Sequence, residues 1–198
     1  MKKIRDEVKE HRKPGNEIDP LFVNRWSPRS MTGEKVDRNV LMSLFEAARW
    51  APSSYNNQSW RFVYEVRDGD RWEEFVGLLG DFNRKWATGA GALVVICSKK
   101  TFDSNGEPSR THSFDTGAAW ENMALEGARR GLVVHGMEGF DYDAAREKLG
   151  VPEEFDVEAM VAVGKRAPKE ELPEDLQERK FPKGRKSLDE IVFQERME

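Results

Sequence analysis

The chain has 198 residues, long enough for one domain with a substantial core and short for two. Its 32 Lys and Arg nearly balance 36 Asp and Glu, for a formal net charge of -4, which gives no electrostatic reason to expect nucleic acid as a partner. The longest apolar run, Ala92 to Cys97, is far too short to span a bilayer, and the lone cysteine, Cys97, excludes an intrachain disulfide, a CxxC pair and a cysteine zinc site.

Residues 1–20 are charged and proline-punctuated, and they read as a peripheral arm. From Asp37, a cap residue, Val40, Leu41, Leu44, Phe45 and Ala48 recur at helical spacing, and Pro52 sets the far limit of that helix. Residues 61–66 have strand content and Asp68-Gly69 supplies a turn. Residues 71–79 read as helix, 93–97 as a buried strand and 100–110 as a polar loop. A long helix is predicted from about Ser113 to Arg130, with Gly131 as a left-handed cap. Leu132 to His135 is a short apolar stretch, 141–149 a charged helix ending at Gly150, and Val157 to Val163 another strand. Residues 165–198 read as a crossing or tail, with Ser187-Leu-Asp-Glu190 a capping box. The order of elements implies one α/β or α+β domain over residues 1–198.

The basic start, MKK, is followed by no apolar stretch, so no export signal is expected, and the cysteine usage favours a reducing, cytoplasmic setting. Gly89-Ala-Gly91 precedes a strand, whereas a dinucleotide-binding turn follows one. His11, His112 and His135 lack metal-ligand spacing, and Cys97 sits in an apolar strand as a core thiol would.

Polar residues remain in places where they do little for a core. Arg25, Ser27 and Arg29 alternate, so in an extended segment all three face one way and suit an anion with several oxygens; a solvated edge strand fits the same pattern. The stretch from Ala51 to Trp60, APSSYNNQSW, gathers hydroxyls and amides suited to the polar edge of a heteroaromatic ring; a helix stop and turn fits it as well.

An R-x-S-x-R segment followed one helix later by APSSxNxQxW resembles the FMN-dependent nitroreductase family. Phe82-Asn83, Met137-Glu-Gly-Phe-Asp141 and Lys183-Gly-Arg185 are similar to further family elements in the same order, so the likeness runs over about residues 20–194. The resemblance implies an α+β fold with a mixed sheet flanked by helices, in an intertwined homodimer with flavin sites at the subunit interface. It further implies an NAD(P)H-dependent FMN oxidoreductase, taking hydride onto flavin N5 and reducing a quinone, nitroaromatic or related electron-poor acceptor in ping-pong order. By that resemblance Arg25, Trp26, Ser27 and Arg29 meet the FMN, with Lys183 and Arg185 completing its phosphate site. Pro52, Ser53, Ser54 and Asn56 come from the partner subunit and Asn83 from the first. Backbone at Glu138 and Gly139 approaches N5, and Gly136 allows close passage of the main chain. No side-chain acid or base and no metal is implied, since the cofactor carries the chemistry.

Two residues depart from the family pattern. Ser59 stands where proline is common, and Trp86 where some members have a flavin-contacting lysine. Trp86 fits a core position or a pocket wall. The long helix would pack closely at a dimer interface through Ala118, Ala119, Ala124 and Ala128. A flavin-binding carrier or redox-responsive module without turnover would share every FMN residue, and a flavin reductive dehalogenase would share the scaffold.

Overall fold

A computed structural model describes residues 3–178 and 181–197; residues 1–2, 179–180 and 198 of the expected arm and tail lie outside it. In chain order the elements are α1 (Asp6–Lys9), α2 (Pro20–Asn24), α3 (Arg38–Arg49), β1 (Trp60–Val66), α4 (Trp72–Leu78), α5 (Asp81–Ala87) and β2 (Ala92–Lys99). There follow α6 (His112–Arg129), β3 (Leu132–Met137), α7 (Tyr142–Leu149), β4 (Phe155–Lys165) and α8 (Glu174–Gln177).

The four strands form one sheet in the order β1-β2-β4-β3, and each of its three ladders is antiparallel. Because helices cover both faces, the central strands are apolar from Ala92 to Cys97 and from Ala159 to Val163, and their pleat is hidden in the sequence. It reappears in the packing. Leu93, Val95 and Cys97 of β2 and Met160 and Ala162 of β4 face one layer, with Trp72, Phe75 and Leu78 of α4 and Trp86 of α5. Ala92, Val94, Ile96, Val161 and Val163 face the other, with Leu41, Leu44 and Ala48 of α3 and Ala119, Met123 and Ala124 of α6. The fold is α+β, a sheet flanked by helices, as expected, and among the described residues the sheet is antiparallel where a mixed one was expected.

Local chemistry explains the boundaries. The Asp37 carboxylate caps α3 by accepting from Asn39 N at 2.8 Å, and Asp141 caps α7 by accepting from Ala144 N at 2.9 Å. Gly131 (φ 76°) and Gly150 (φ 64°) end α6 and α7 in the left-handed region, which costs a glycine nothing. The capping box at Ser187 and Glu190 is present, although it opens a single 3-10 turn rather than a longer helix.

Three features differ from the sequence reading. The alanines of α6 do not form an open face: Ala119 and Ala124 pack against α3 and the sheet of their own chain, and Ala128 is buried as well. α5 has no separate sequence signal, because Gly80 and the charged run Asp81 to Lys85 mask a helix that buries only Trp86 and Ala87. The arm and tail are partly anchored, with Val8, Leu172 and Leu176 in the interior.

Leu41 is fully buried whereas the Asp37 cap is at the surface. Leu41→Ala is therefore expected to lower unfolding free energy by about 2–5 kcal/mol and Asp37→Ala by about 1 kcal/mol. Urea titrations with a constant m-value check the ranking, and equal losses would mean that α3 is not held chiefly by its apolar face.

Candidate functional site

The segment after α2 leaves helical geometry at Arg25, and from there to Ser30 the chain runs across the end of the sheet. It is held there by backbone bonds from Ala167 N to Ser30 O (3.1 Å) and Thr32 N to Lys165 O (3.0 Å). His135 Nδ1 lies 2.9 Å from Pro28 O and ties the same segment to β3. Arg25, Trp26, Ser27 and Arg29 thereby line one cleft of ≈ 300 Å³ with Arg12, His135, Phe181, Pro182, Lys183 and Arg185. Five cations surround it and none of its lining residues is acidic.

Arg12 is the residue that sequence reasoning missed, since it sits in a stretch that reads as solvated arm. Its guanidinium donates to Val23 O (2.8 Å), Arg25 O (2.6 Å) and Lys183 O (2.9 Å), joining three segments far apart in sequence. Only the planar fork of arginine reaches three carbonyls in this way. Burial first, then Arg185 and Arg25, pull its pKa down to about 10, still charged at neutral pH. Arg25 Nε meets Glu121 at 3.2 Å, yet burial pushes the Glu121 carboxyl above its ordinary range in spite of Arg25 and Arg185. The carboxylate that meets Arg25 is thus itself poorly solvated.

Arg29 lies over the rings of Phe82 (5.1 Å) and Trp86 (5.8 Å), and Arg25 over Trp120 (5.9 Å), so aromatic faces support the guanidiniums from below. Trp86 is buried, stacks on His135 at 4.4 Å between centroids and donates from Nε1 to Asn83 Oδ1 at 3.1 Å. It is a core residue that backs Arg29, Asn83 and His135 and lines neither of the two cavities.

A second cavity of ≈ 430 Å³ opens at the far end of β3, lined by Gly80, Asp81, Phe82, Asn83, His135, Gly136, Met137, Glu138 and Gly139. Asn83 Nδ2 donates to Gly139 O at 2.9 Å, and Gly80 N donates to the same carbonyl at 3.1 Å. A Cβ on Gly139 would stand 2.9 Å from Asn83 Nδ2, so a side chain there would displace the amide. A Cβ on Gly136 would press on the Trp120 indole at 3.3 Å. The indole N–H of Trp120 is buried with no hydrogen-bond partner among the described residues.

Ser53, Ser54, Pro52 and Asn56 line neither cavity. Their loop is fixed elsewhere: Ser54 N donates to Asp115 Oδ2 at 3.0 Å and Gln58 N to Ser53 Oγ at 3.0 Å. Tyr55, Asn56 and Gln58 all take positive φ, and the Tyr55 side chain is 90% exposed.

The two cavities adjoin at His135, which lines both. A cationic end, a polar middle and a second end lined by main chain together suit an elongated ligand with an anionic terminus and a flat polar head. The sequence profile of the nitroreductase family matches residues 23–76 and 65–165. The chain belongs to the nitroreductase family.

Among solved structures, an FMN-containing oxidoreductase is 42% identical, with 94% of this chain and 96% of that chain covered and a TM-score of 0.91. A putative nitroreductase from Desulfovibrio desulfuricans, in complex with FMN, shares the fold at 22% identity and TM-score 0.71, over 92% of this chain and 100% of that one. An uncharacterised 15.4 kDa protein of Mycolicibacterium smegmatis is 32% identical over 127 residues, which is 61% of this chain and 82% of that protein. The fold is the nitroreductase fold and the chain is an oxidoreductase of that family. No helix among the described residues is long and apolar enough to cross a membrane.

Burial, assisted by Arg29 and Arg25 and opposed by the bond to Pro28, depresses the His135 pKa from 6.5 to about 4. His135 is expected to stay neutral in an NMR titration down to pH 5. Folding then excludes a proton that the unfolded chain would bind. The associated stability is complete above pH 6.5 and lost as the pH falls through about 4. A His135 midpoint near 6.5 would show the ring to be solvated.

Proposed function

We propose that this nitroreductase-family chain is an FMN-dependent oxidoreductase that takes electrons from NAD(P)H and passes them to an electron-poor organic acceptor such as a quinone or nitroaromatic. The observation that carries the reading is the cleft with Arg12, Arg25, Arg29, Lys183 and Arg185 and no acidic wall. A phosphate of nearly two negative charges suits a cleft lined by so many guanidinium and ammonium groups better than a neutral ligand does.

The residues present fit the rest of FMN as well. The cavity at Glu138 and Gly139 offers main-chain groups and the Asn83 amide to a flat heteroaromatic edge, and the orphaned Trp120 N–H beside Gly136 marks a polar position that the chain alone leaves unfilled. When bound, FMN would supply the group that accepts hydride from the nicotinamide and yields electrons to the second substrate.

The chain's own part is binding and orientation. Arg25, Trp26, Ser27, Arg29, Lys183 and Arg185 hold the anionic end, and Arg12 keeps their backbones together. Asn83 fixes the Gly139 carbonyl, and thereby the main chain at Glu138 and Gly139, at the other end. No side chain is assigned as acid or base. Pro52, Ser53, Ser54 and Asn56 serve the site of a second copy, which makes the functional unit a homodimer built on one domain per chain. A reducing, cytoplasmic setting suits the free, buried Cys97, whose pKa burial raises to about 11.

The purified protein is expected to show flavin absorbance bands that bleach on anaerobic addition of NADPH or NADH. Bands that persist would point to another electron donor, and a colourless protein that takes up no FMN would end the reading. Arg185→Ala is expected to weaken FMN by about 1.5–3 kcal/mol through loss of a charge-assisted contact. Riboflavin, which lacks the phosphate, should bind that variant as it binds the parent, and an equal loss for both would reassign the cleft. Light scattering is expected to give about twice the 22.8 kDa chain mass, and a flavin-loaded monomer would remove the shared-site assignment.

A further inference from the structure

One side chain that the proposed function leaves unused stands on both cavities at once. His135 lies on β3 between the cationic cleft and the cavity at Glu138 and Gly139. Its ring is fixed from two directions, by Nδ1 against Pro28 O at 2.9 Å and by the face of Trp86 at 4.4 Å. Trp86 is in turn held by Asn83.

A carbonyl oxygen only accepts, so Nδ1 carries the ring proton and Nε2 keeps its lone pair. Burial keeps the ring neutral, and Arg25 and Arg29, the charged groups that bear on it, oppose a second proton. His135 therefore offers the two cavities an acceptor and no donor.

The inference rests on the FMN reading. The part of FMN that joins phosphate to ring is a chain of hydroxyls, each able to donate. We propose that His135 is a positioning residue that accepts a hydrogen bond, through Nε2, from a hydroxyl of the ribityl chain, and so favours flavins that carry that chain.

Calorimetric titration of the full chain with FMN, riboflavin and lumiflavin separates phosphate, ribityl chain and ring. His135→Phe keeps an aromatic ring beside Trp86 and removes the acceptor; His135→Gln restores an acceptor. The Phe variant is expected to lose about tenfold in affinity for FMN and for riboflavin alike, the worth of one ordinary hydrogen bond, with lumiflavin unchanged. The Gln variant is expected to recover part of that loss. Equal losses for all three flavins, unchanged binding of all three, or a Gln variant as weak as the Phe variant overturns the assignment. Parent protein that binds FMN tightly while these variants show no ribityl dependence sinks this inference alone. Parent protein that binds none of the three ends the flavin reading and this inference with it.

Discussion

The site depends on the way residues 28–33 are sewn to the end of β4. Ala167 N reaches Ser30 O, Thr32 N reaches Lys165 O, and Met31 bridges Arg166 while its side chain enters the core. Ser30 Oγ adds a bond to Pro168 O at 2.5 Å. These are main-chain and buried contacts, insensitive to salt and costly to leave unmade. They bring Arg25, Ser27 and Arg29 to one cleft beside His135 of β3, and the bond between His135 and Pro28 ties the segment to that strand. Without them the same side chains would be a solvated arginine pair.

The positive cluster is a cost to the free chain. Arg185 and Arg25 add to burial in disfavouring the charge of Arg12, as its lowered pKa records, and Glu121 meets Arg25 from a poorly solvated place. In a chain with more carboxylates than cations overall, the lining of this cleft nonetheless gathers five cations and no acidic residue among the described residues. Fixed dipoles and like charges gathered in advance are the usual form of a site preorganised for an anion, with the repulsion offset when the ligand binds.

Much of this was legible in the sequence, and the exceptions have physical reasons. α3, α6 and α7 announce themselves through caps and periodicity, because each has one solvated face. β2 reads as a strand from its apolar run, yet its two faces cannot be told apart until the helix layers are known. Arg25, Ser27 and Arg29 were visible through their alternation and Lys183 with Arg185 through resemblance. Arg12 carried no signal, since its partners are carbonyls, and a carbonyl has no signature in sequence. His135 looked like an isolated histidine for the same reason: what fixes it is the Pro28 carbonyl, 107 positions away.

The loop at residues 52–58 presses the argument one step further. Three residues other than glycine hold left-handed backbone there, each disfavoured by the Cβ, and the loop keeps them through Asp115, Ser53 and the bond from Asn57 Nδ2 to Thr101 O. A loop built only to join α3 to β1 has no need of that strain or of an outward Tyr55. Its hydroxyls and amides are rigidly presented, but neither cavity of the same chain receives them. On the proposed reading, in which this loop serves the site of a second copy, a ligand that engages both the arginine cleft and the loop would draw on two chains, each carrying the complement of the half-site that the other lacks.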